Sequence, residues 1–151
     1  MLLQRIGSKK FCATRSATFG GQGSLYGDGR WHHRGRLVVY TASHRSLALL
    51  EVLAHLDRKN QLQPFVAWEI EVPDKFIVEP GALPRGWLSD LEATRTYGDA
   101  WLVARSSVGL CVPSVIVPSE MNVLLNPAHP DFDLKWVRRG PHPVHFDSRL
   151  V

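Results

Sequence analysis

One charged residue inside an apolar helical segment is the feature that most restricts how this chain can fold. Residues 47–54 contain seven apolar side chains and a single carboxylate, Glu51. Burying a carboxylate costs free energy unless a cation or a hydrogen-bond donor meets it. The surrounding sequence predicts a helix with Ser43 as its N-cap that runs to about Arg58. The fold must therefore supply Glu51 with water or with a polar partner.

Helical periodicity leaves two interpretations of Glu51. His44, Glu51, His55 and Arg58 fall on one narrow stripe of the predicted helix, and apolar side chains fill most of its remaining circumference. The stripe is either the solvated edge of a mostly buried helix, which is the commoner case, or one wall of a cleft. The periodicity fits both interpretations.

A glycine-rich segment precedes this helix. Five of the ten residues 20–29 are glycine, which favours turns and positive φ over regular structure. The segment lacks the Gly-Lys-Ser/Thr ending of a phosphate-binding loop and the third glycine of a dinucleotide fingerprint. Arg30 stands between Gly29 and Trp31, where a guanidinium has flexible backbone and an indole face beside it. That position suits an arginine that binds phosphate.

Short strands dominate the prediction for the remaining residues. Asp99 is expected to cap a short helix that carries Trp101, and the prolines after Asn126 predict an irregular path. This order does not match the regular alternation of a doubly wound sheet. We therefore predict a single α+β domain over residues 1–151, with curved, largely antiparallel sheets. The predicted strands are 4–13 at a sheet edge, 37–40, 65–72, 76–78, 111–117 and 144–146.

Composition is that of an ordinary globular protein, with 44% hydrophobic and 21% charged residues. The sequence has no apolar run long enough for a signal peptide or a membrane span, so we expect a cytoplasmic protein without membrane contact. Cys12 and Cys111 lie in no paired motif, and reduced thiols are expected. His32 and His33 are adjacent and no HExxH spacing occurs, so no metal site is expected.

The net charge of +4 favours an anionic partner only weakly. Arginines supply most of the charge and are scattered along the chain, whereas a nucleic-acid binder more often gathers its basic residues on one face. Arginine suits a few bidentate contacts to phosphate, which favours a small phosphorylated ligand. The alternative is a non-catalytic module that binds RNA or DNA, consistent with the basic composition, five tryptophans and the glycine-rich loop.

A set of short segments, in a fixed order along the chain, resembles a known family. The set is Arg5-Ile6, Gly29-Arg30-Trp31, Gly35, 38–42, 47–53, Gly98, Trp101-Leu102, 112–118, 124–127 and 146–150. Together these segments resemble the RES domain family, toxins of bacterial toxin–antitoxin pairs named for an arginine, a glutamate and a serine. The resemblance covers nearly the whole chain. One departure is His32, which stands where the family usually has asparagine.

This resemblance implies an ADP-ribosyltransferase-like fold with an NAD-binding cleft, and cleavage of the nicotinamide–ribose bond of NAD⁺. In the family the outcome is NAD⁺ depletion and growth arrest, by phosphorolysis or hydrolysis, although some members transfer ADP-ribose to a protein. NAD⁺ is then the substrate, and no separate cofactor is expected. The implied catalytic residues are Glu51, Arg30 and Tyr40, and the implied NAD⁺-binding residues are Arg5, Arg30, Trp31, Tyr40, Ser114 and Asn126.

The chemistry of the reaction agrees with these roles. Breaking the bond passes through an oxocarbenium-like state, and a nearby carboxylate such as Glu51 stabilises the positive charge that develops. Arg30 is suited to hold the diphosphate and Tyr40 to stack on the nicotinamide ring. Ser114 is expected to hydrogen-bond the ligand or to orient Glu51.

The resemblance also implies partners. The expected protein partner is an Xre-type antitoxin with a helix-turn-helix domain, whose C-terminal part blocks the cleft. Contact with DNA would then occur only through the antitoxin. A homodimer within a larger toxin–antitoxin complex is expected, and inorganic phosphate is a candidate second substrate.

Overall fold

The computed structural model describes residues 1–57 and 63–151, and within them the chain forms one seven-stranded sheet and three α-helices. Three short 3₁₀ segments, Gln22–Leu25, Asp74–Phe76 and Leu134–Trp136, connect these elements. The strands are β1 Leu2–Ser8, β2 Val39–Ala42, β3 Phe65–Glu71, β4 Ile77–Val78, β5 Gly109–Pro113, β6 Met121–Leu125 and β7 Val137–Val144, and the helices are α1 Arg15–Phe19, α2 Arg45–His55 and α3 Leu91–Ala104.

The strands follow the order β4-β5-β6-β2-β1-β3-β7 across the sheet. All neighbouring pairs are antiparallel except β4 and β5. The prediction of an α+β fold with largely antiparallel strands is therefore confirmed. Strand periodicity explains the burial, because Val66, Trp68 and Ile70 of β3 all pack into the core on one face of the sheet.

The sheet opens between β1 and β2. These strands pair at a single position, Gln4 opposite Ala42, whereas β1 pairs with β3 along its whole length, from Leu2 opposite Glu71 to Ser8 opposite Phe65. Beyond Gln4 the backbones of β1 and β2 separate. The gap between them is the floor of the cleft described below.

The buried side chains form three clusters. One cluster around Leu3, Trp68 and Val123 forms the main core. A second cluster joins Trp31 to Trp101 and Leu102 of α3. A third places Leu47 and Ala48 of α2 against Ile6 and Ala67. Among the described residues, no helix has both the length and the apolar character needed to cross a membrane.

Several predicted boundaries were wrong near the start of the chain. Strand β1 lies inside the sheet rather than at its edge, and it ends at Ser8, so Lys9 and Lys10 occupy the turn that follows. Helix α1 was not predicted. Helix α2 begins at Arg45 with His44 in the N-cap position instead of Ser43, and it ends at His55. The predicted continuation of the helix past His55 is wrong, because Leu56 is the C-cap with an extended backbone. Arg58 itself lies outside the described residues.

In the second half of the chain, the observed helices and strands differ more from the predicted ones. Asp99 lies inside α3, whose N-cap is Asp90, with the Asp90 side chain accepting a hydrogen bond from the amide of Ala93. The strand predicted to reach residue 117 is β5 and ends at Pro113, and β6 was not predicted. The last strand is β7, which ends rather than begins at Val144. It contains two prolines, which it tolerates because it is an edge strand.

Candidate active site

A cleft of about 890 Å³ opens where β1 and β2 separate. Its walls come from β1, β2, α2, the loop at 28–31, the start of α3 and the segment after β5. The volume falls in the range of roughly 300–1,000 Å³ that small-molecule sites occupy. The sheet therefore provides one large concave surface to which several elements contribute side chains.

Glu51 lies on the wall of this cleft, half-buried on α2. Its Oε1 atom accepts hydrogen bonds from Ser114 Oγ at 2.9 Å and from Asn122 Nδ2 at 2.6 Å. Among the described residues no hydrogen bond reaches Oε2. The structure therefore agrees with the cleft-wall interpretation of the helical stripe. Two neutral donors orient the carboxylate and leave its second oxygen for a ligand.

Ser114 is fully buried and does not line the cleft. Its hydroxyl donates to Glu51 and accepts from the backbone amides of Ile116 at 3.0 Å and Val117 at 3.1 Å. These three contacts occupy the hydrogen-bonding capacity of a hydroxyl. Of the two predicted roles, the geometry fits orientation of Glu51 and not contact with a ligand.

Arg30 also lines the cleft. Its Nη2 donates to the carbonyl oxygens of Trp87 at 2.8 Å and Leu88 at 2.7 Å, and its guanidinium lies 5.8 Å from the ring centroid of Trp87. The indole beside the Arg30 guanidinium is thus that of Trp87 rather than that of the adjacent Trp31, whose own ring stacks on Trp87. Burial lowers the pKa of Arg30, and the charge of Glu51 opposes that shift.

Arg5 crosses the gap between β1 and β2. Its Nη1 donates to the carbonyl oxygen of Tyr40 at 2.8 Å, which satisfies a strand acceptor left unpaired by the opening of the sheet. Burial lowers the pKa of Arg5. The Arg5 side chain thus bridges β1 and β2 where the two strands separate.

Three buried side-chain atoms have no hydrogen-bond partner within residues 1–57 and 63–151. They are Arg5 Nε, Arg30 Nε and Asn122 Oδ1. All three residues line the cleft. Buried polar groups are normally paired, so orphaned atoms gathered in one cavity indicate that a polar ligand completes them. The set contains two cationic donors and one neutral acceptor.

Tyr40, which lines the cleft, is hydrogen-bonded to the buried His32. The Tyr40 hydroxyl accepts from the amide of Trp31 at 3.0 Å and lies 2.8 Å from His32 Nδ1, while His32 Nε2 lies 3.0 Å from the carbonyl oxygen of Gly27. Because a carbonyl only accepts, Nε2 carries the proton and Nδ1 accepts from Tyr40. Burial lowers the pKa of His32 and raises that of Tyr40, so both are neutral.

The loop that carries Arg30 is fastened to α3. Arg95 Nε donates to the carbonyl oxygen of Gly29 at 2.8 Å, and Arg95 also lines the cleft. The amide of His33 donates to Asp99 Oδ1 at 3.1 Å, and its ring contacts Asp99 at 2.7 Å and Glu92 at 3.0 Å. Sequence reasoning missed Arg95 and Asn122, because their partners lie more than fifty residues away in the chain.

Two further residues that were predicted to bind the ligand, Trp31 and Asn126, lie in positions that do not present them freely to the cleft. Trp31 lines the cleft but is buried between Trp87 and Tyr97. Asn126 lies away from the cleft, with Nδ2 donating to Leu102 O and Oδ1 accepting from the amide of Ala128. Asn126 thus fastens the end of β6 to α3. Among the described residues, no group of three or more His, Cys, Asp or Glu is arranged to hold a metal ion.

The protein is thus an α+β domain whose open, largely antiparallel sheet separates between β1 and β2 to form the cleft. The RES domain profile matches residues 2–147. The chain belongs to the RES domain family, which confirms the relationship that the sequence segments indicated.

Two curated relatives are similar to this protein over essentially the full chain, and a third is similar over about three quarters of it. Toxin Res of Yersinia enterocolitica is 38% identical over 154 residues, covering 99% of this chain and 99% of the relative. Toxin Res of Photorhabdus laumondii is 40% identical over 157 residues, covering 100% and 97%. The Prs ADP-ribosylating toxin of a Sphingobium species is 41% identical over 118 residues, covering 74% and 73%.

A solved structure shares the fold. A chain of the M. tuberculosis MbcT–MbcA toxin–antitoxin complex superposes with a TM-score of 0.70 at 14% identity, covering 91% of this chain and 81% of that one. At this identity the likeness concerns the fold alone.

Proposed function

We propose that this protein is a toxin that cleaves the nicotinamide–ribose bond of NAD⁺ and so depletes the cell of NAD⁺. The observation that carries the proposal is Glu51, held by two donors on one oxygen, facing a cleft in which Arg5 and Arg30 each keep a buried, unpaired Nε. A carboxylate and two guanidiniums match the cationic ribosyl centre and the diphosphate of one dinucleotide. The names of the RES relatives, among them an ADP-ribosylating toxin, support this choice of substrate.

Glu51 supplies the electrostatic part of the reaction. When the bond to nicotinamide breaks, positive charge develops on the ribosyl carbon and its ring oxygen. Oε2 faces this charge from a fixed position, because Ser114 and Asn122 already hold Oε1. A preorganised charge needs no reorganisation during the reaction and therefore lowers the barrier. Nicotinamide leaves as a neutral molecule with the bonding electron pair.

The arginines act on the diphosphate. Charge-assisted hydrogen bonds from guanidinium to phosphate oxygens are strong and directional. Arg30 keeps its position through the carbonyls of Trp87 and Leu88, and Arg5 through that of Tyr40. Within residues 1–57 and 63–151 their Nε atoms have no partner, and we propose that the ligand pairs with them. Arg95 acts by positioning the backbone of Gly29 beside Arg30.

Tyr40 offers its ring and not its hydroxyl. The hydroxyl is occupied by Trp31 and His32, which leaves the face of the ring for stacking on the nicotinamide. His32 takes the place of the family's usual asparagine as a neutral acceptor for this hydroxyl. We therefore infer that His32 preserves the site.

Three acceptors remain open for the ADP-ribosyl group. Water gives hydrolysis and inorganic phosphate gives phosphorolysis. A protein side chain gives ADP-ribosylation, which the name of the Sphingobium relative favours. NAD⁺ is the substrate in each case, and the proposal includes no separate cofactor.

An antitoxin is the proposed protein partner, and its expected class is the Xre-type helix-turn-helix protein. The related fold was solved in a toxin–antitoxin complex. Phe11, Leu91 and Ile116 line the cleft of this chain and remain 39–66% exposed, so its mouth is apolar. Such a rim suits a protein segment that enters the cleft. We also propose that the protein contacts DNA only through the antitoxin. Within the toxin–antitoxin complex it would form a homodimer.

The alternative of a nucleic-acid-binding module gains little from the structure. Five arginines each lie within salt-bridge distance of a carboxylate: Arg45, Arg95, Arg138, Arg139 and Arg149. Their charges are therefore partly neutralised and are not available as one basic surface.

The test is incubation of the purified protein with NAD⁺, with and without phosphate, followed by mass spectrometry of the products. Free nicotinamide together with ADP-ribose or its 1-phosphate is expected. Labelled NAD⁺ with cell lysate shows whether the label reaches a protein. Folded protein that releases no nicotinamide in any of these mixtures would overturn the proposal. Salt-dependent binding of RNA or DNA without turnover would support the alternative.

A further inference from the structure

Asn122 has three properties that occur together in no other described residue. Its Nδ2 donates to the catalytic carboxylate, its Oδ1 is buried without a hydrogen-bond partner, and its side chain lines the cleft. We propose that Asn122 is both a positioning residue and a ligand-binding residue: Nδ2 holds Glu51, and Oδ1 accepts a hydrogen bond from an O–H or N–H donor at the ribosyl end of the substrate. This inference rests on the proposed function.

The orientation of the amide follows from its neighbour. An ionised carboxylate only accepts hydrogen bonds, so the atom of Asn122 that lies 2.6 Å from Glu51 Oε1 is the NH₂ group. The short distance is typical of a charge-assisted hydrogen bond. Oδ1 then points away from Glu51 and has no alternative orientation that keeps this contact.

The backbone gives Asn122 a fixed place. It lies in β6, opposite Ala42 of β2 and opposite Val112 of β5, so both sides of its strand are paired. Its successor Val123 is fully buried on the other face of the sheet. The Asn122 side chain therefore projects towards α2 and the cleft with little freedom of backbone position.

Asparagine is an unfavourable residue at this position on structural grounds. Asparagine is depleted in strands, and a buried carbonyl without a hydrogen-bond partner destabilises the folded protein. Residues 123–125, which follow it, are all apolar and buried. A site that departs from local preference in this way is expected to serve function. The bound substrate would satisfy the carbonyl that the free protein leaves unpaired.

Two groups of the substrate carry suitable donors near the bond that breaks. The ribose has hydroxyls at its 2′ and 3′ positions, and nicotinamide has a carboxamide NH₂. Each would give Asn122 Oδ1 the missing hydrogen bond while Oε2 of Glu51 faces the ribosyl carbon. The side chain would then couple the position of the ribosyl group to that of the carboxylate.

Asn122→Leu and Ser114→Ala form a matched pair. Each removes one donor to Glu51 Oε1, but only Asn122 lines the cleft. We expect Ser114→Ala to lower kcat with little change in KM. Asn122→Leu should lower kcat and also raise KM about tenfold, the loss of one ligand hydrogen bond. A fall in KM or an unchanged KM for Asn122→Leu would contradict ligand contact.

Substrate analogues identify the donor. NAD⁺ analogues lacking the 2′-hydroxyl, the 3′-hydroxyl or the carboxamide NH₂ are compared in the wild type and in Asn122→Leu. One analogue should raise KM about tenfold in the wild type and have almost no added effect in the variant, because the partner is already gone. Equal penalties in both proteins for every analogue would overturn the ligand contact.

Binding of ADP-ribose, measured by calorimetry, separates this inference from the proposed function. ADP-ribose keeps the hydroxyls and lacks the carboxamide, so weaker binding to Asn122→Leu assigns the contact to a hydroxyl. Equal binding together with a carboxamide effect in the analogue series assigns it to nicotinamide. Suppose that the wild type turns over NAD⁺ but Asn122→Leu shows neither weaker ADP-ribose binding nor a carboxamide effect. That result would refute ligand contact by Asn122 and leave the proposed function standing. If the wild type does not turn over NAD⁺, the proposed function fails, and equal binding of both ADP-ribose and NAD⁺ to the wild type and to Asn122→Leu would refute the ligand contact of Asn122 as well.

Discussion

The Nδ1 atom of His32 lies 2.8 Å from the hydroxyl oxygen of Tyr40, and this contact connects the glycine-rich loop to the strand β2. The other ring nitrogen of His32 lies 3.0 Å from the carbonyl oxygen of Gly27. A Cβ atom on Gly29 would clash with both His32 and Tyr40, so the loop can approach this pair only with glycine there. The buried His32 side chain holds the loop in place, because its two ring nitrogens hydrogen-bond to Tyr40 and to the backbone of Gly27.

The first prediction concerns this pair. His32→Leu and Tyr40→Phe should each lower the free energy of unfolding by about 1–3 kcal/mol, since each leaves a buried group without its partner. The double variant should lose less than the sum of the two, because the shared hydrogen bond is lost only once. Urea unfolding of the four proteins measures the coupling. Strict additivity would show that the two side chains do not interact.

The second prediction is a pH dependence carried by His33. Hydrogen bonds to Glu92 and then to Asp99 raise the pKa of His33. The contact therefore stabilises the fold fully below the unfolded-state pKa of about 6.5. That stabilisation is lost as the pH rises through the higher folded-state pKa. The Tm difference between the wild type and His33→Gln should be larger near pH 6 than near pH 9. A constant difference would contradict this account, and His142→Gln on the exposed edge of β7 serves as the control.

The third prediction concerns the contact of α3 with the loop. A Cβ atom on Gly98 would lie 1.7 Å from the carbonyl oxygen of Trp31, which is backbone and unable to move alone. Gly98→Ala should lower stability by roughly 1–3 kcal/mol despite the better helix propensity of alanine. Gly81→Ala, where a Cβ meets open space, should change it by no more than about 0.5 kcal/mol. Equal Tm values for both variants would refute the close approach.

The fourth prediction concerns ground-state binding by Arg30. Arg30→Met should weaken binding of ADP-ribose by about 10–100-fold, the loss expected for a charge-assisted hydrogen bond to phosphate. Arg85→Met, on an exposed turn outside the cleft, should bind normally. Calorimetric titration of both variants makes the comparison. Normal affinity in Arg30→Met would remove Arg30 from the proposed phosphate contacts.

Local patterns predicted the parts of the site that lie close together in sequence. Arg30, Tyr40 and Glu51 come from one loop, one strand and one helix in succession, and the structure places all three on the cleft. The predicted α+β class also agrees, because strand periodicity and turn residues act over short distances. The polar partners of Glu51 could not be identified in this way. Asn122 and Ser114 lie 71 and 63 residues from it along the chain, and only the sheet order brings them together.

The wrong boundaries have similar physical reasons. The edge strand predicted over residues 4–13 is instead β1, which ends at Ser8 and has a neighbour on each side, β2 and β3, that pairing distant in sequence supplies. Prolines suggested that the C-terminal segment is irregular. They are compatible with β7 because that strand has a partner on one side only. Edge and centre are properties of the sheet and not of the single strand.

The central claim is that Glu51 stabilises a positive charge present only in the transition state, and Glu51→Gln tests it most directly. Glutamine keeps the shape and a carbonyl oxygen that accepts from Ser114 and Asn122, but it removes the charge. Turnover of NAD⁺ should fall on the order of 100-fold or more, about 3 kcal/mol, while NAD⁺ affinity changes far less. Glu71→Gln, on the exposed end of β3, should keep normal turnover. The decisive measurement is the rate of nicotinamide release at saturating NAD⁺: a loss of that size supports the mechanism, and a Glu51→Gln protein with near wild-type turnover would contradict it.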